Sequence, residues 1–335
     1  EEKQVGRYSA TTTALLYLDG VVYLPICEEM RKRLDAFEVD GIEDGGMIEY
    51  LTRKKKEGRF PVYQTTERPD RAAQAILEGR VVLLTDNSPE ALIFPATLNS
   101  LFQTADDYYR NERIVTFLRL IRYVAAFLAL ALPGLYVAAA TFHPQLLPGN
   151  LIRSMAEARS GVPFPTAAEV LLMELSFELL REAGLRMPGP AGNTIGIVGG
   201  LIVGQAAVSA NLVSPITVTV AALTALGSFS IPNEELSEVF RLWKYGILLL
   251  GSCFGILGVM LGCFLLLMLM AEQESYGIPW LYPYVGGNLN ERADPVPVLD
   301  RADEKDSMFL AAARKRKRRP IFAKWGNRIR FRRKS

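Results

Sequence analysis

The sequence predicts an α+β protein, in which an N-terminal cytoplasmic α/β domain is followed by an α-helical polytopic membrane domain and a basic tail. Residues 1–122 carry 20 acidic and 17 basic residues, whereas the 149 residues of 123–271 carry only 8 and 6. The last 22 residues, 314–335, hold 12 lysines and arginines and no acid, so the other 313 hold 26 basic and 36 acidic residues. This uneven distribution of charge argues against a single soluble globule.

Residues 1–100 are expected to form the α/β domain. The β-branched and apolar stretch 12–22 is typical of a strand, and Pro25 opens a stretch whose apolar residues recur at helical spacing. Further strands are expected at 61–65, 80–84 and 91–94, and further helices before residue 60 and at 71–77. The order β, α, α, β, α, β, β indicates a sheet with its helices on one side.

Residues 101–122 predict an arginine-rich amphipathic linker helix that leads into the membrane domain, 123–271. This domain contains four uncharged runs, at 123–142, 192–213, 215–233 and 246–271. Twenty helical residues cover about 30 Å, the thickness of the hydrocarbon core of a bilayer, so each run predicts a span. A buried helix of a soluble protein is the alternative for the first run. Ser214 and Pro215 separate the second and third runs and indicate a tight helical hairpin.

Residues 166–183 have helical periodicity but are acidic. They carry Glu169, Glu174, Glu178 and Glu182, and four carboxylates are costly in lipid. We therefore expect an amphipathic helix at the membrane surface or buried in protein, which does not cross. Arginines before the first span and the basic tail 272–335 after the last place both termini in the cytoplasm, which requires an even number of crossings. Four spans meet that requirement.

Glycines in the spans predict close helix packing, because small residues four apart let helix backbones approach each other in a membrane. This packing is expected either within one subunit or between identical subunits around an axis. The candidate packing residues are Gly192, Gly196, Gly200 and Gly204 in the second run and Gly251 and Gly255 in the fourth.

Polar side chains deep in the second run predict a hydrated path. Gln205 and Ser209 are four residues apart and share a helix face, and a glutamine in hydrocarbon needs either a partner on a neighbouring helix or water. Val198, Leu201 and Val208 lie near the same face and are candidates for an apolar constriction that gates by dewetting. These five residues are the candidate pore lining.

The acidic helix offers the second candidate. Glu174 and Glu178 lie on one face with Glu182, and rings of carboxylates attract ions to cation pathways. The alternative is a solvated polar face along the membrane surface. Like charges four residues apart slightly destabilise a helix, so a counter-charge or a cation is expected nearby, and Arg181 and Arg186 are close in sequence.

The sequence argues against an enzyme and against a metal site or a cofactor. It contains one histidine, three cysteines without a CxxC pair, and no phosphate-binding glycine loop or zinc-protease motif,. The basic tail interleaves cations with aromatic residues, a pattern that also suits nucleic acid. Anionic lipid headgroups are the expected partner, because the tail follows a span on the cytoplasmic side. The residues expected to bind lipid are Arg314, Lys315, Arg316, Lys317, Arg318 and Arg319.

The stretch FELLREAGLRMPGPAGNTIGIVGGLIVGQAAVSANLVSP, at 177–215, resembles the signature of A subunits of GerA-type spore germination receptors. The resemblance extends to EVDGIEDGGMIEYL, to QTTERPDRAAQAILEGRVVLLTD and to YGIPWLYP after the last run. It implies a protein of the spore inner membrane that acts with a transporter-like B subunit and a lipoprotein C subunit. It also implies a pentamer whose helices form a nutrient-gated ion channel, with the helix of 192–213 as the pore wall and Glu174 and Glu178 near it.

Members of this family usually carry another N-terminal subdomain before the strand that begins here at Thr12, so the chain is expected to be an N-terminally shortened member. The function expected from all these observations is that of a homo-oligomeric, nutrient-gated cation channel subunit. Two other classes of function stay open. A secondary transporter would show an inverted repeat and broken helices, and an accessory sporulation scaffold would recruit partners without transporting anything.

Overall fold

The computed structural model describes residues 1–54, 59–186, 191–282 and 284–285, and of residues 191–198 and 201 it describes the backbone alone. The chain divides into two compact units. The first unit consists of Glu1–Ser100 together with the chain from Glu274, and the second is Leu101–Gln273.

The first unit is an antiparallel sheet with three helices. Its strands are β1 (Glu2–Val5), β2 (Thr11–Leu16), β3 (Gln64–Thr66), β4 (Val81–Thr85) and β5 (Ala91–Phe94), and its helices are α1 (Leu24–Asp35), α2 (Gly45–Thr52) and α3 (Pro69–Leu77). The strands lie in the order β1-β2-β4-β5-β3, each antiparallel to its neighbour. From β2 onward the element order matches the one that the sequence predicts.

The helices cover both faces of this sheet, so the prediction of helices on one side is wrong. Val81 and Leu83 of β4 belong to the core formed with α1 and α2, whereas Val82 belongs to a second cluster with Ala75 of α3. All three β4 residues are fully buried. The sequence carries this signal, because a strand without alternation between apolar and polar residues is typical of burial on both faces.

A short hairpin from beyond the second unit completes the core of the first. It consists of β6 (Glu274–Ser275) and β7 (Ile278–Pro279), joined by a turn in which Tyr276 and Gly277 have φ of +52° and +80°. The Tyr276 ring stacks on Phe94 at 4.9 Å, and the indole N–H of the buried Trp280 donates to the Pro61 carbonyl at 2.8 Å. Residues 274–280 therefore differ from the prediction that the chain after 271 is a cytoplasmic basic tail.

The second unit is helical. From Leu101 it comprises the end of α4 (Leu98–Phe102), 3₁₀ turns at Ala105–Tyr108 and Pro144–Leu146, and the helices α5 (Glu112–Thr141), α6 (Gly149–Arg159), α7 (Thr166–Leu185), α8 (Ala191–Ser209), α9 (Pro215–Phe229), α10 (Glu234–Phe254) and α11 (Ile256–Glu272). Asn111, Ser214 and Asn233 cap the N-termini of α5, α9 and α10 with side-chain oxygens, as these residue types commonly do.

One helix, α5, is long and apolar enough to cross a membrane in the part of the chain that the structure describes. Its 30 residues cover about 45 Å, and its most apolar 18-residue window has a mean hydropathy of 1.9. Two shorter apolar helices are α9 and α11. The end of the predicted linker helix and the first predicted span are thus parts of one continuous helix.

The long helices of the second unit alternate in direction. Gly227 near the end of α9 lies against Ala125 in the middle of α5, where an added Cβ would be 2.5 Å from the Ala125 carbonyl oxygen. Thr217 near the start of α9 faces Tyr136 towards the end of α5, with 3.5 Å between the two hydroxyl oxygens. The helices α5 and α9 are therefore antiparallel.

The same reasoning orders the other helices. Gly255, which follows α10, approaches His143, which follows α5, so α5 and α10 end together and run in parallel. In α8, Gly199 approaches Leu180 near the end of α7. Together with the ion pairs between α7 and α10 described below, these contacts give two opposite directions. One direction is shared by α5, α8 and α10, and the other by α7, α9 and α11.

The uncharged run 246–271, expected as one span, is divided into two antiparallel helices at Gly255. Gly255 has φ of +63°, a backbone conformation that favours glycine. Gly258 then lies so close to α10 that an added Cβ would overlap the Leu250 carbonyl, and Gly262 approaches Ile247. In the part of the chain that the structure describes, the bundle therefore contains six long helices where four spans were expected, because the fourth run forms a hairpin and α7 also runs alongside the others.

Asp107 anchors the start of α5 within the second unit. This buried carboxylate accepts hydrogen bonds from Arg122 at 2.7 and 2.9 Å and from Arg119 at 3.3 Å. Burial by itself raises the pKa of Asp107, but the hydrogen bonds and the positive charge of Arg122, with help from Thr104, outweigh it and hold the pKa below its ordinary value,.

A group whose pKa is depressed in the folded state stabilises the fold above its unfolded pKa and loses that contribution as the pH falls through the folded pKa. We expect the wild-type protein to lose the contribution of this site progressively on acidification below about pH 4. In Asp107→Asn this loss is absent, so its melting temperature should fall less steeply with pH. Thermal unfolding in detergent between pH 7 and pH 3 measures the two slopes, and parallel slopes would contradict this role of Asp107.

Candidate functional site

Three carboxylates of α7 form ion pairs with two other helices of the second unit, α6 and α10. The first is Glu169, which is fully buried. One of its oxygens accepts from the Ser214 N–H at 2.9 Å and from the Thr217 hydroxyl at 3.1 Å, and the other accepts from Arg159 Nε at 3.1 Å. Because a negative charge at a helix N-terminus is favourable, Glu169 ties α7 to the beginning of α9.

The second carboxylate is Glu174, which is 1% exposed and forms an ion pair with Lys244 of α10. Lys244 Nζ lies 2.7 Å from Glu174 Oε2 and is itself buried. The Tyr245 hydroxyl also donates to the Glu174 carbonyl at 3.4 Å. Removing one partner of such a pair leaves an uncompensated buried charge.

The third carboxylate is Glu178, whose partner is Arg241, one turn before Lys244 on α10. Arg241 also lies 3.6 Å from Glu238 of its own helix. Together, the pairs of Glu174 and Glu178 fix the register of the antiparallel helices α7 and α10. The neighbouring Arg181 instead donates to the Ser228 hydroxyl, and its guanidinium lies 4.3 Å over the ring of Phe229.

Sequence reasoning proposed Glu174 and Glu178 but missed the cations Lys244 and Arg241. These cations lie 70 and 63 residues further along the chain. A signal was present, because two cations one turn apart on α10 match two carboxylates one turn apart on α7. Arg186, named as a nearby counter-charge, pairs with Glu182 of its own helix at 2.6 Å, where both are exposed.

The helix α8 packs on α7 through its glycines. An added Cβ on Gly199 would lie 2.8 Å from Leu180, and one on Gly200 would lie 3.1 Å from the ring of Phe177. Gly204 approaches Val218 of α9 in the same way. The described glycines of this row therefore contact helices of the same protomer.

The candidate pore-lining residues of α8 do not share one environment. Gln205 and Ser209 are exposed in the protomer, whereas Val208 packs against an apolar cluster that contains Met173 and Ala221. The side chains of Val198 and Leu201, and the surroundings of Gly192 and Gly196, lie outside the described residues. Of the five residues expected to line the pore, the structure thus shows two with polar side chains, Gln205 and Ser209, exposed on the surface of the protomer.

The two glycines singled out in the fourth run differ in their surroundings. Gly251 lies in the contact of α10 with α5, where an added Cβ would be 3.0 Å from the Gly134 carbonyl oxygen. Gly255 forms the turn between α10 and α11. The basic residues 314–319 lie outside the described part of the chain. Within that part, no group of three or more histidine, cysteine, aspartate or glutamate side chains could hold a metal ion.

Comparison with known proteins establishes the family. The family model described as Bacillus/Clostridium GerA spore germination protein matches residues 1–321. This chain belongs to the GerA family. Among GerA relatives, spore germination protein KA of Bacillus subtilis is 38% identical over 283 residues, which are 84% of this chain and 52% of the relative. An uncharacterized membrane protein of the same species, YfkQ, is 40% identical over 83% of this chain and 54% of its own length.

A third GerA relative, spore germination protein GerQA of Bacillus cereus, is 35% identical over 99% of this chain and 64% of the relative. The chain thus spans about half to two thirds of the length of these relatives. No solved structure matches the chain with significance. Membership of the GerA family associates the chain with spore germination, and the apolar helix α5 is in keeping with a membrane protein.

Proposed function

We propose that this chain is the A subunit of a nutrient germinant receptor in the spore inner membrane. In this proposal several copies enclose a cation channel, with α8 as its wall. The observation that carries the proposal is the environment of α8. This uncharged helix packs on α7 through Gly199 and Gly200, while Gln205 and Ser209 are exposed on it. Polar side chains on an apolar helix in a membrane need water or a partner, and an aqueous passage supplies the water.

The alternating helices support a polytopic arrangement with both termini in the cytoplasm. If each of the six long helices in the described residues crosses the membrane, the number of passes is even, as the positive-inside argument requires. The helices α9 and α11, with 15 and 17 residues, cover about 22 and 25 Å. Such lengths suit spans that are buried among other helices or that locally thin the bilayer.

The partners proposed are those that the family resemblance implies. They are further copies of this chain, with five as the expected number, a transporter-like B subunit and a lipoprotein C subunit. The cationic segment 314–319 is proposed to bind anionic headgroups, each basic residue near the surface contributing about 1 kcal/mol. The same proposal assigns to Glu174 and Glu178 the role of attracting cations to the channel.

Replacing Gln205 by leucine tests the passage. We expect Gln205→Leu spores to release cations about tenfold more slowly than wild type when they are exposed to a defined mixture of twenty L-amino acids, glucose and inosine. The reason is that an apolar lining favours dewetting of a narrow passage. Cation release is measured by atomic emission of the medium, with the amount of the chain checked by immunoblot.

The matched control is Thr219→Val, which removes an exposed hydroxyl from the neighbouring apolar helix α9 and should leave the release rate within about twofold of wild type. Equal rates for Gln205→Leu and Thr219→Val would contradict the assignment of α8 as the wall. A purified wild-type complex that stays impermeable to cations in liposomes with the same mixture would contradict the channel itself.

A further inference from the structure

The carboxylates of α7 outnumber the cations that face them on α10. Glu174, Glu178 and Glu182 recur every four residues, so they lie one above another on one helix face. Lys244 pairs with Glu174 and Arg241 pairs with Glu178. Glu182 faces no cation of α10 that the structure records and pairs with Arg186 on its own helix.

We propose that α7 and α10 have two stable registers one helical turn apart. In the register of the structure, Lys244 pairs with Glu174 and Arg241 with Glu178. In the second register, Lys244 pairs with Glu178 and Arg241 with Glu182, so that both cations keep a carboxylate. One-turn shifts of a packed element are an established form of switching, and the row of three carboxylates offers both cations a carboxylate in the second position as well.

The element that moves is the α10–α11 hairpin. The helix α7 is tied to α9 through Glu169, Ser214 and Thr217. Its ion pairs with α10 are preserved in the shift, whereas the Tyr245 hydrogen bond to the Glu174 carbonyl and the packing of Leu248 on Val170 are exchanged for new contacts. The contact of α10 with α5 includes Gly134 and Gly251, whose backbones approach each other closely,. The buried Ile247 packs against Gly134 in the same contact and has to move to a new position along α5 in the shift.

The shift connects the cation pathway with the soluble unit. In the second register Glu174 loses its counter-charge, and a permeant cation becomes the counter-charge available to it, as expected of an ion-attracting residue. At the other end, Gln273 alone separates α11 from β6 along the chain. This inference rests on the proposed channel function.

The test compares three single variants in spores, with the nutrient mixture used above diluted in series. Glu182→Gln removes the partner that Arg241 has only in the second register, and Glu174→Gln removes the partner that Lys244 has only in the first. We expect the mixture concentration for half-maximal cation release to rise about tenfold in Glu182→Gln. In Glu174→Gln we expect it to fall by a similar factor, with release beginning in the absence of nutrients.

Arg186→Gln is the matched control for Glu182→Gln. It breaks the same exposed pair within α7 but leaves Glu182 available to Arg241, so its half-maximal concentration should stay within about twofold of wild type. Glu182 and Arg186 are both exposed, so neither substitution endangers folding. The comparison of these two variants therefore decides the question even where Glu174→Gln does not accumulate.

Two results would overturn the proposal. Equal responses of Glu182→Gln and Arg186→Gln would mean that Glu182 has no partner beyond its own helix. If the half-maximal mixture concentration changes in the same direction in Glu174→Gln and in Glu182→Gln, the row of carboxylates acts as a single charged surface. In either case, normal cation release by wild-type spores in response to nutrients would leave the channel function intact. Wild-type spores that release cations no faster than spores lacking the chain would refute the channel function itself.

Discussion

Gly258→Ala is expected to prevent the α10–α11 hairpin from forming in its present geometry. An alanine Cβ at this position would overlap the backbone carbonyl of Leu250 and would lie 3.0 Å from Phe254 Cβ. A backbone group cannot turn aside as a flexible side chain does, so the two helices have to separate along their contact. Overpacking of this kind costs about 3 kcal/mol.

The expected result is a large drop in melting temperature of the full chain in detergent, with reduced accumulation in membranes. Gly246→Ala is the control within the same hairpin, because no atom lies within 4 Å of its added Cβ. Alanine also favours a helix by about 1 kcal/mol over glycine, so this variant should be as stable as wild type or more so. A Gly258→Ala protein as stable as Gly246→Ala would contradict the close approach of α11 to α10.

Trp280→Ala is expected to destabilise the first unit strongly. The indole is fully buried, its ring lies 4.9 Å from the ring of Phe60, and its N–H donates to the Pro61 carbonyl. The substitution removes the largest buried side chain of the unit and leaves a cavity and an unpaired carbonyl. Truncation of a buried tryptophan to alanine costs about 3–5 kcal/mol, a large share of the stability of a domain of this size.

Limited proteolysis of the full chain measures this effect, with cleavage between residues 1 and 100 expected to become at least tenfold faster. Tyr50→Ala is the matched control in the same unit, because Tyr50 is an aromatic residue that is 78% exposed and its loss should change stability by less than about 0.5 kcal/mol. If the two variants are cleaved at the same rate, the chain after α11 does not contribute to this core.

The parts of the fold that follow from local pattern could be predicted from the sequence. The strands β4 and β5 and the helix α3 are bounded by residues whose preferences are local, namely Pro69 and Gly79. The uncharged stretch of α5 predicted a helix for the same reason. The turn before α9 could be placed because Ser214 is a favoured cap and Pro215 a favoured first residue of a helix.

The features that depend on distant contacts could not be predicted. An uncharged run such as 246–271 has the same composition whether it forms one helix or a hairpin, and Gly255 is one of several glycines in it. The partners of Glu174 and Glu178 lie on a helix more than 60 residues away. Likewise, Ser275 donates to Val62, 213 residues earlier, and no local preference specifies such a contact.

The return of the hairpin β6–β7 to the first unit has a consequence for biosynthesis. The ribosome makes residues 1–100 first, but Trp280 is added only after 180 further residues have been translated. At about 5–20 residues per second this delay lasts on the order of 10–40 s. During that time the side chains of Phe60 and Phe94 lack the contacts that the hairpin later makes with them. They form an apolar surface that chaperones can cover until the hairpin packs against the sheet.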